Sequence, residues 1–424
     1  MRLTGLGFSD MPTYIRSKFS FILLFVFVLS LAVPPFSVTL LGRTPTVFLS
    51  EIVMALSALM ILGKRRVLDR RVLLHVGGIS LLVALSYFWA IDGLRSLAFV
   101  KIYIYPFLVL FLGMVSFGTR TDIDSIFEVL LFVFLGWALQ SLFNWNLYAI
   151  GEQTLTYDFG AKDMLQTSWG RSNTVAAVNI LLVPFVFYRL WFSSVFGKIF
   201  MISALGVLMV SSLLAMSRGA TIAFAVGIVF WLWQTFKLYG KKHLYSWGMT
   251  IGLMLVASYV VWHIIPSSFA DMFAARWWVL GDSAYIAGDD RVTRWQAILS
   301  YLFTHPFGAG LGNYSVVLGS INPLHGESAH NIFLDIMMDA SVIAGIIYAS
   351  LTLFLFKKAS QSLRLASSFQ DKVMAITQLT IHVIFLLNSL LEPNYFSSIY
   401  MTIVSLNSAA IIAFNRHLQP VVPR

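Results

Sequence analysis

"GKRRVLDRRVLLHVGGISLLVALSYFWAI", residues 63–91, carries the pattern that decides the fold. Basic residues crowd its start, and about twenty almost wholly apolar positions follow. That is the length at which an α-helix crosses a hydrocarbon layer of ~30 Å. Inside lipid every backbone N–H and C=O needs a partner within the protein. A helix supplies one for each, whereas a membrane β-barrel would show alternating segments instead. The same unit of apolar run and polar gap recurs along the whole chain.

Composition agrees. Of 424 residues, 58% are hydrophobic and 11% charged, against roughly a quarter charged in a soluble domain. Cysteine is absent, so disulfide and thiolate chemistry are excluded. Apolar runs fall near 19–33, 46–62, 72–91, 97–117, 126–150, 174–192, 198–215, 219–236, 245–265, 331–356, 373–391 and 396–414. The expectation is an all-α membrane protein with about twelve transmembrane helices, residues 1–424 forming one polytopic unit. Alternate gaps carry Arg2, Arg16 and Lys18, then "GKRRVLDRR", Arg120, Lys198, "KLYGKKH", "KKASQSLR" and Arg416. The positive-inside rule then puts both termini in the cytoplasm. The net charge of +10 is a topology signal rather than a sign of nucleic-acid binding.

Two outward gaps are long, as functional loops are. One is "GEQTLTYDFGAKDMLQTSWGRSN", 151–173; the other spans 266–330, between the ninth and tenth helices, and reads as a large structured periplasmic loop. Within it "SSFADMFAARWWVL", with Trp277 and Trp278, has the amphipathic character of a segment lying at the membrane interface. "DDRVTRWQAILSYLFTHPFGAGLGNY" predicts a helix, capped by Asp289 or Asp290 and ended by Pro306, then a Gly-rich turn. Its expected packing face is Val292, Trp295, Leu299 and Leu302.

Outward basic residues oppose the positive-inside trend: Arg43, Arg95, Lys162, Arg171, Arg218, Arg276, Arg291 and Arg294, with Lys101 inside a span. Arg218 stands in the tight turn "AMSRGAT", where Gly219 permits close backbone approach. It reads either as an interfacial arginine or as part of a cationic pocket. Arg291 and Arg294 pair with Asp289 and Asp290 or complete that pocket. The arginine fork matches phosphate oxygens. His330 lies where the loop meets a helix start, with Ser328 as the expected N-cap. The helix dipole there favours an anion and a neutral imidazole, and so a general base, against the alternative of a structural histidine. Asp335 and Asp339, four apart on the face of Asn331, are expected to pair with Arg95 or Lys101.

The run "RVTRWQAILSYLFTHPFGAGLGNYSVV" followed by "ESAHNIFLDIMMDASVIAGIIY" resembles the O-antigen ligase/polymerase superfamily. The shared pattern is an arginine before a Trp-containing helix, His-Pro-Phe-Gly-x-Gly-x-Gly, then Ala-His-Asn opening a helix. Within the superfamily the chain looks most like an O-antigen ligase. The resemblance implies a GT-C-like architecture in the inner membrane of a Gram-negative bacterium. It also implies transfer of a glycan from undecaprenyl diphosphate to lipid A–core. It makes Arg218, Arg291 and His330 the catalytic residues; Arg294, Arg171, Asn331 and His325 are the further candidate contacts to substrate or diphosphate. Such ligases tend to carry a glycine ten residues past that asparagine; Ser341 stands there, with Gly345 four later.

The residues fit that chemistry independently. A glycosyl donor on the outer face is lipid-linked, its diphosphate held by arginines as charge develops. His330 would deprotonate the acceptor hydroxyl, with the arginines across a gap about one sugar wide. Direct displacement inverts the anomeric centre. No metal or cofactor is expected: His325 and His330 have no carboxylate cluster of metal-site spacing around them. The rival readings are O-antigen polymerase, protein O-oligosaccharyltransferase and, from another class, a transporter or flippase, which should carry repeats and midplane ionisable sites.

Overall fold

The computed structural model describes residues 13–34, 36–37, 46–47, 49–63, 68–151, 165, 167, 171–215, 217–240, 248, 252, 256, 259, 290–321, 328–392 and 397–419. These are mostly helical, with turns between the helices and one two-residue antiparallel pairing, Phe36 with Val47 and Ser37 with Thr46. The helices are α1 (Thr13–Ser30), α2 (Leu49–Gly63), α3 (Arg70–Leu85), α4 (Gly93–Ser116), α5 (Arg120–Gly151), α6 (Ser172–Phe192) and α7 (Val195–Leu214). They continue as α8 (Arg218–Tyr239), α9 (Asp290–Thr304), α10 (Tyr314–Ile321), α11 (Ile332–Asp339), α12 (Val342–Leu365), α13 (Phe369–Leu391) and α14 (Ser398–Leu418). Among the described residues nine helices, α3–α8 and α12–α14, are long and apolar enough to cross a membrane. This is a helical, multi-pass membrane protein. The expected span 245–265, the segment with Trp277 and Trp278, most of 151–173, and Arg43, Lys162, Arg276 and His325 lie outside the described residues.

Most spans start where a polar side chain takes the place of the missing helical acceptor. Asp69 accepts from Arg71 N and Val72 N, Asp92 from Arg95 N, Ser217 from Ala220 N, Ser368 from Asp371 N and Ser397 from Tyr400 N. The centre of the fold is α14, buried almost throughout and packed on α4, α12 and α13; α6 packs on α7, and α8 on α13. At one end of the spans the basic residues are paired: Arg120 Nη1 lies 2.7 Å from Asp371, Arg189 pairs with Glu128, and Arg416 Nη2 donates to Met114 O. The N-termini of α8 and α12 and the C-terminus of α13 lie at the other end.

The run 331–356 is not the single span expected. The chain breaks at Ala340–Ser341, so α11 has eight residues and α12 starts afresh with Ser341 as N-cap. Such a break leaves a helical carbonyl and an amide without partners in an apolar place, which the structure must repair. The turn 306–309 does so. Ala309 N donates to Met338 O at 2.7 Å, and Val342 N donates to Pro306 O at 2.9 Å. The turn approaches closely because Gly308, Gly310 and Gly312 all have positive φ, at 76°, 88° and 67°. A Cβ on Gly308 would stand 2.3 Å from Met338 O.

The acids of this segment correct the expected pairing with Arg95 or Lys101. Asp339 accepts from Tyr103 Oη at 2.8 Å and from Gly312 N at 2.9 Å. Asp335 accepts from Ala329 N at 2.7 Å. Lys101 instead meets Glu51 at 3.4 Å, and Arg95 donates to Ser315 Oγ at 2.6 Å. Both acids are almost fully buried, while Lys101 is 57% exposed, and a long cationic side chain gains more by reaching water than by following a carboxylate inward.

Gly308→Ala should therefore destabilise the protein by about 1–3 kcal/mol, from the left-handed backbone and the carbonyl contact together. Gly319→Ala, a helical site with open space around it, should be neutral or slightly stabilising. Thermal unfolding of the two variants in the same detergent makes the comparison.

Candidate active site

The packed face of the loop helix α9 agrees with the expected one at Trp295 and Leu302 and departs from it at Val292 and Leu299. Ile298 and Leu302 are buried and Trp295 is partly so, with Arg291 and Arg294 on the same side; Val292 and Leu299 are 42% and 55% exposed. The two stripes are neighbours on one helix and both are apolar. The segment 328–330 lies against the packed side, at Arg294 and Trp295. Arg294 Nη1 donates to Ser328 O at 3.1 Å, and Trp295 Nε1 donates to Ala329 O at 2.7 Å.

With Asp335 holding Ala329 N, three hydrogen bonds clamp the two residues before His330. His330 itself has φ 54°, the one non-glycine residue with positive φ among those described. An L-residue there costs on the order of 1–2 kcal/mol, so the position persists only because its surroundings fix it. Arg294, expected to touch diphosphate, has a guanidinium nitrogen committed to this clamp. The cap assignment also changes. Asn331 is the N-cap of α11, its Oδ1 accepting from Phe333 N and Leu334 N, while Ser328 Oγ accepts from His330 N at 3.3 Å. Asn331 is placed beside His330 with its amide oxygen used for capping. Burial pushes the Asp335 carboxyl well above the ordinary carboxylate range, and Asp339 one turn on adds to this, against the lowering by Ala329 N–H.

Arg291 and His330 converge on a residue that the motif reading did not pick out, Glu392, at the C-terminus of α13. Arg291 Nη2 is 3.5 Å from Oε1, and His330 Nδ1 is 3.7 Å from Oε2. Ser217 Oγ donates to Oε1 at 3.4 Å. Arg218, the first residue of α8, follows Ser217 directly; a Cβ on Gly219 would stand 2.8 Å from Glu392 Cγ, so the glycine is what lets this turn reach the acid. Where a gap of one sugar was expected between histidine and arginine, a carboxylate stands. Its side chain is 3% exposed, with His330 at 19% and Arg291 at 24%. Arg171 is at the N-cap of α6 and exposed. The signal for Glu392 was its place: a lone acid closing an apolar span, at the end where Arg218 and His330 also lie. Among the described residues no three His, Asp or Glu side chains gather as a metal site requires. No family model matches the chain, and no curated protein matches it either.

A buried N–H left without an acceptor costs about 1–3 kcal/mol. Asp335→Leu should lose that much stability and release the clamp on His330. Asp335→Asn, which keeps the acceptor oxygen, should lose little. Unfolding midpoints of the purified variants check the difference.

Proposed function

We propose that the protein is an O-antigen ligase, transferring a glycan from undecaprenyl diphosphate to lipid A–core by direct, inverting, metal-independent displacement. The observation that carries this reading is the meeting of a loop arginine, the α8 turn and His330 on one buried carboxylate at the end of the spans opposite the paired basic residues. In the reading, that end faces the periplasm of a Gram-negative bacterium. About twelve spans in a GT-C-like arrangement, with both termini cytoplasmic, sit in the inner membrane.

The acceptor hydroxyl oxygen attacks the anomeric carbon, and its proton passes to His330. The bond from that carbon to the diphosphate oxygen breaks, and the electron pair leaves on the diphosphate. Arg218 and Arg291 stabilise the growing charge. Arg291 meets Glu392 through one terminal nitrogen, and its guanidinium fork has the geometry to hold phosphate oxygens. The glycine-bound turn and the clamp on 328–330 fix arginine and histidine relative to one another, which is how orientation lowers the barrier.

A deletion strain should lose its whole O-antigen ladder and accumulate carrier-linked glycan; core bearing a single repeat would mean a polymerase. In vitro, Arg218→Lys and Arg291→Lys should fail to restore turnover, because an ammonium does not reproduce the fork. His330→Ala should lower the rate by roughly 10²–10⁴-fold. Near-normal turnover by both lysine variants would remove the phosphate role, and full activity of the alanine variant would remove the base.

A further inference from the structure

The geometry points to Glu392 as a positioning residue that orients His330 for proton transfer, an inference that rests on the reading of His330 as the base. Two buried polar atoms without hydrogen-bond partners among the described residues face each other here, His330 Nδ1 and Glu392 Oε2. They are 3.7 Å apart, beyond a hydrogen bond and within about 1 Å of one. An orphaned buried donor or acceptor costs free energy, so both atoms gain from closing that gap. Catalytic hydrogen bonds are often long before substrate binds and tighten in the complex.

The other contacts give each carboxylate oxygen its own direction. Oε1 faces Arg291 Nη2 and Ser217 Oγ, and Oε2 faces the imidazole. The backbone at φ 54° and the clamp on Ser328 and Ala329 aim the ring at this oxygen. A carboxylate only accepts hydrogen bonds, so Nδ1 must carry the hydrogen. The lone pair of the neutral ring is then on Nε2, which is the atom left to take the acceptor's proton. After the transfer the ring holds both hydrogens, Nδ1–H stays bonded to Oε2, and Glu392 itself gains no proton. Its negative charge stabilises the imidazolium that forms. The general form is a base held in one tautomer by a third group.

Glu392 also joins the two halves of the site. When a diphosphate draws Arg291 to itself, Oε1 shares its strongest cationic neighbour with a better acceptor. More of the carboxylate charge is then left to the imidazole. Donor binding thus favours the charged product of proton transfer, and deprotonation of the acceptor follows loading of the donor.

The test uses the full-length protein in nanodiscs with undecaprenyl diphosphate-linked glycan and lipid A–core. Glu392→Gln should lower kcat by about 10²-fold or more, since an amide no longer selects the tautomer. The KM for the donor should stay near the wild-type value, because Arg218 and Arg291 remain. A loss confined to donor KM would make Glu392 a brace for Arg291 and overturn the inference, as would wild-type kcat. The wild type supplies a second reading that needs no stable Glu392 variant. With ¹⁵N-labelled histidine, the ring resonances lost in His330→Gln, out of eight histidines, should show a protonated Nδ1 and an unprotonated Nε2. The opposite tautomer would overturn the pairing. Full turnover by His330→Ala would overturn the base and the pairing together; normal dependence on His330 with wild-type kcat in Glu392→Gln would overturn the pairing alone.

Discussion

The break between Asp339 and Val342 leaves a carbonyl and an amide buried with no helical partner, and most of the site's geometry follows from how they are satisfied. The turn 306–309 takes both, through Ala309 N to Met338 O and Val342 N to Pro306 O. That fixes the C-terminal end of the loop helix α9 against the C-terminal end of α11. A helix of eight residues is about 12 Å long. His330, at the far end of α11, is therefore set one short rigid element away from the anchored turn, and Arg291, at the far end of α9, is set beside it. The two chemically important side chains are held by the same repair at their distal ends. Gly312 N and Tyr103 Oη, both donating to Asp339, extend the repair to α4.

The near end is held by backbone bonds rather than by the reactive groups themselves. Arg294, Trp295 and Asp335 spend polar atoms on Ser328 and Ala329, and this keeps His330 in a left-handed conformation that it would leave if unconstrained. The imidazole is consequently free of structural duty. Strain placed on the proposed base itself, and opposed by three hydrogen bonds, is the arrangement expected where orientation matters more than local stability.

Much of the architecture was legible because transmembrane spans obey a one-dimensional rule. Twenty apolar residues with basic gaps announce themselves, and nine such helices stand among the described residues. The convergence of Arg291, His330 and the Arg218 turn was signalled by motif spacing and by basic residues on the side where they are disfavoured. What the sequence hid was three-dimensional. A broken helix and a continuous one have the same hydropathy across 331–356, and the break shows only in what the distant residues Pro306 and Ala309 bond to. The two candidate stripes of α9 are both apolar, so periodicity alone does not separate them. Glu392 lies 62 positions beyond His330, and no local pattern links them. The expected partners of Asp335 and Asp339 were wrong because charge was matched to charge, whereas buried carboxylates here satisfy backbone N–H groups and a phenol.

That last error separates the acids of this region by function. Asp335 and Asp339 face donors that belong to the fold, and a neutral acceptor serves those bonds nearly as well as a charged one. Glu392 faces a guanidinium and an imidazole, groups whose interaction with it depends on charge. Burying a carboxylate at 3% exposure is costly unless cations or strong donors surround it, and the ones beside Glu392 include those proposed to act on substrate. On the proposed function, a site that binds a diphosphate assembles positive charge that repels itself when empty. A resident carboxylate relieves that repulsion before the donor arrives. In the same proposal it stays close enough to the histidine, at 3.7 Å, to act on it once the arginine turns to phosphate.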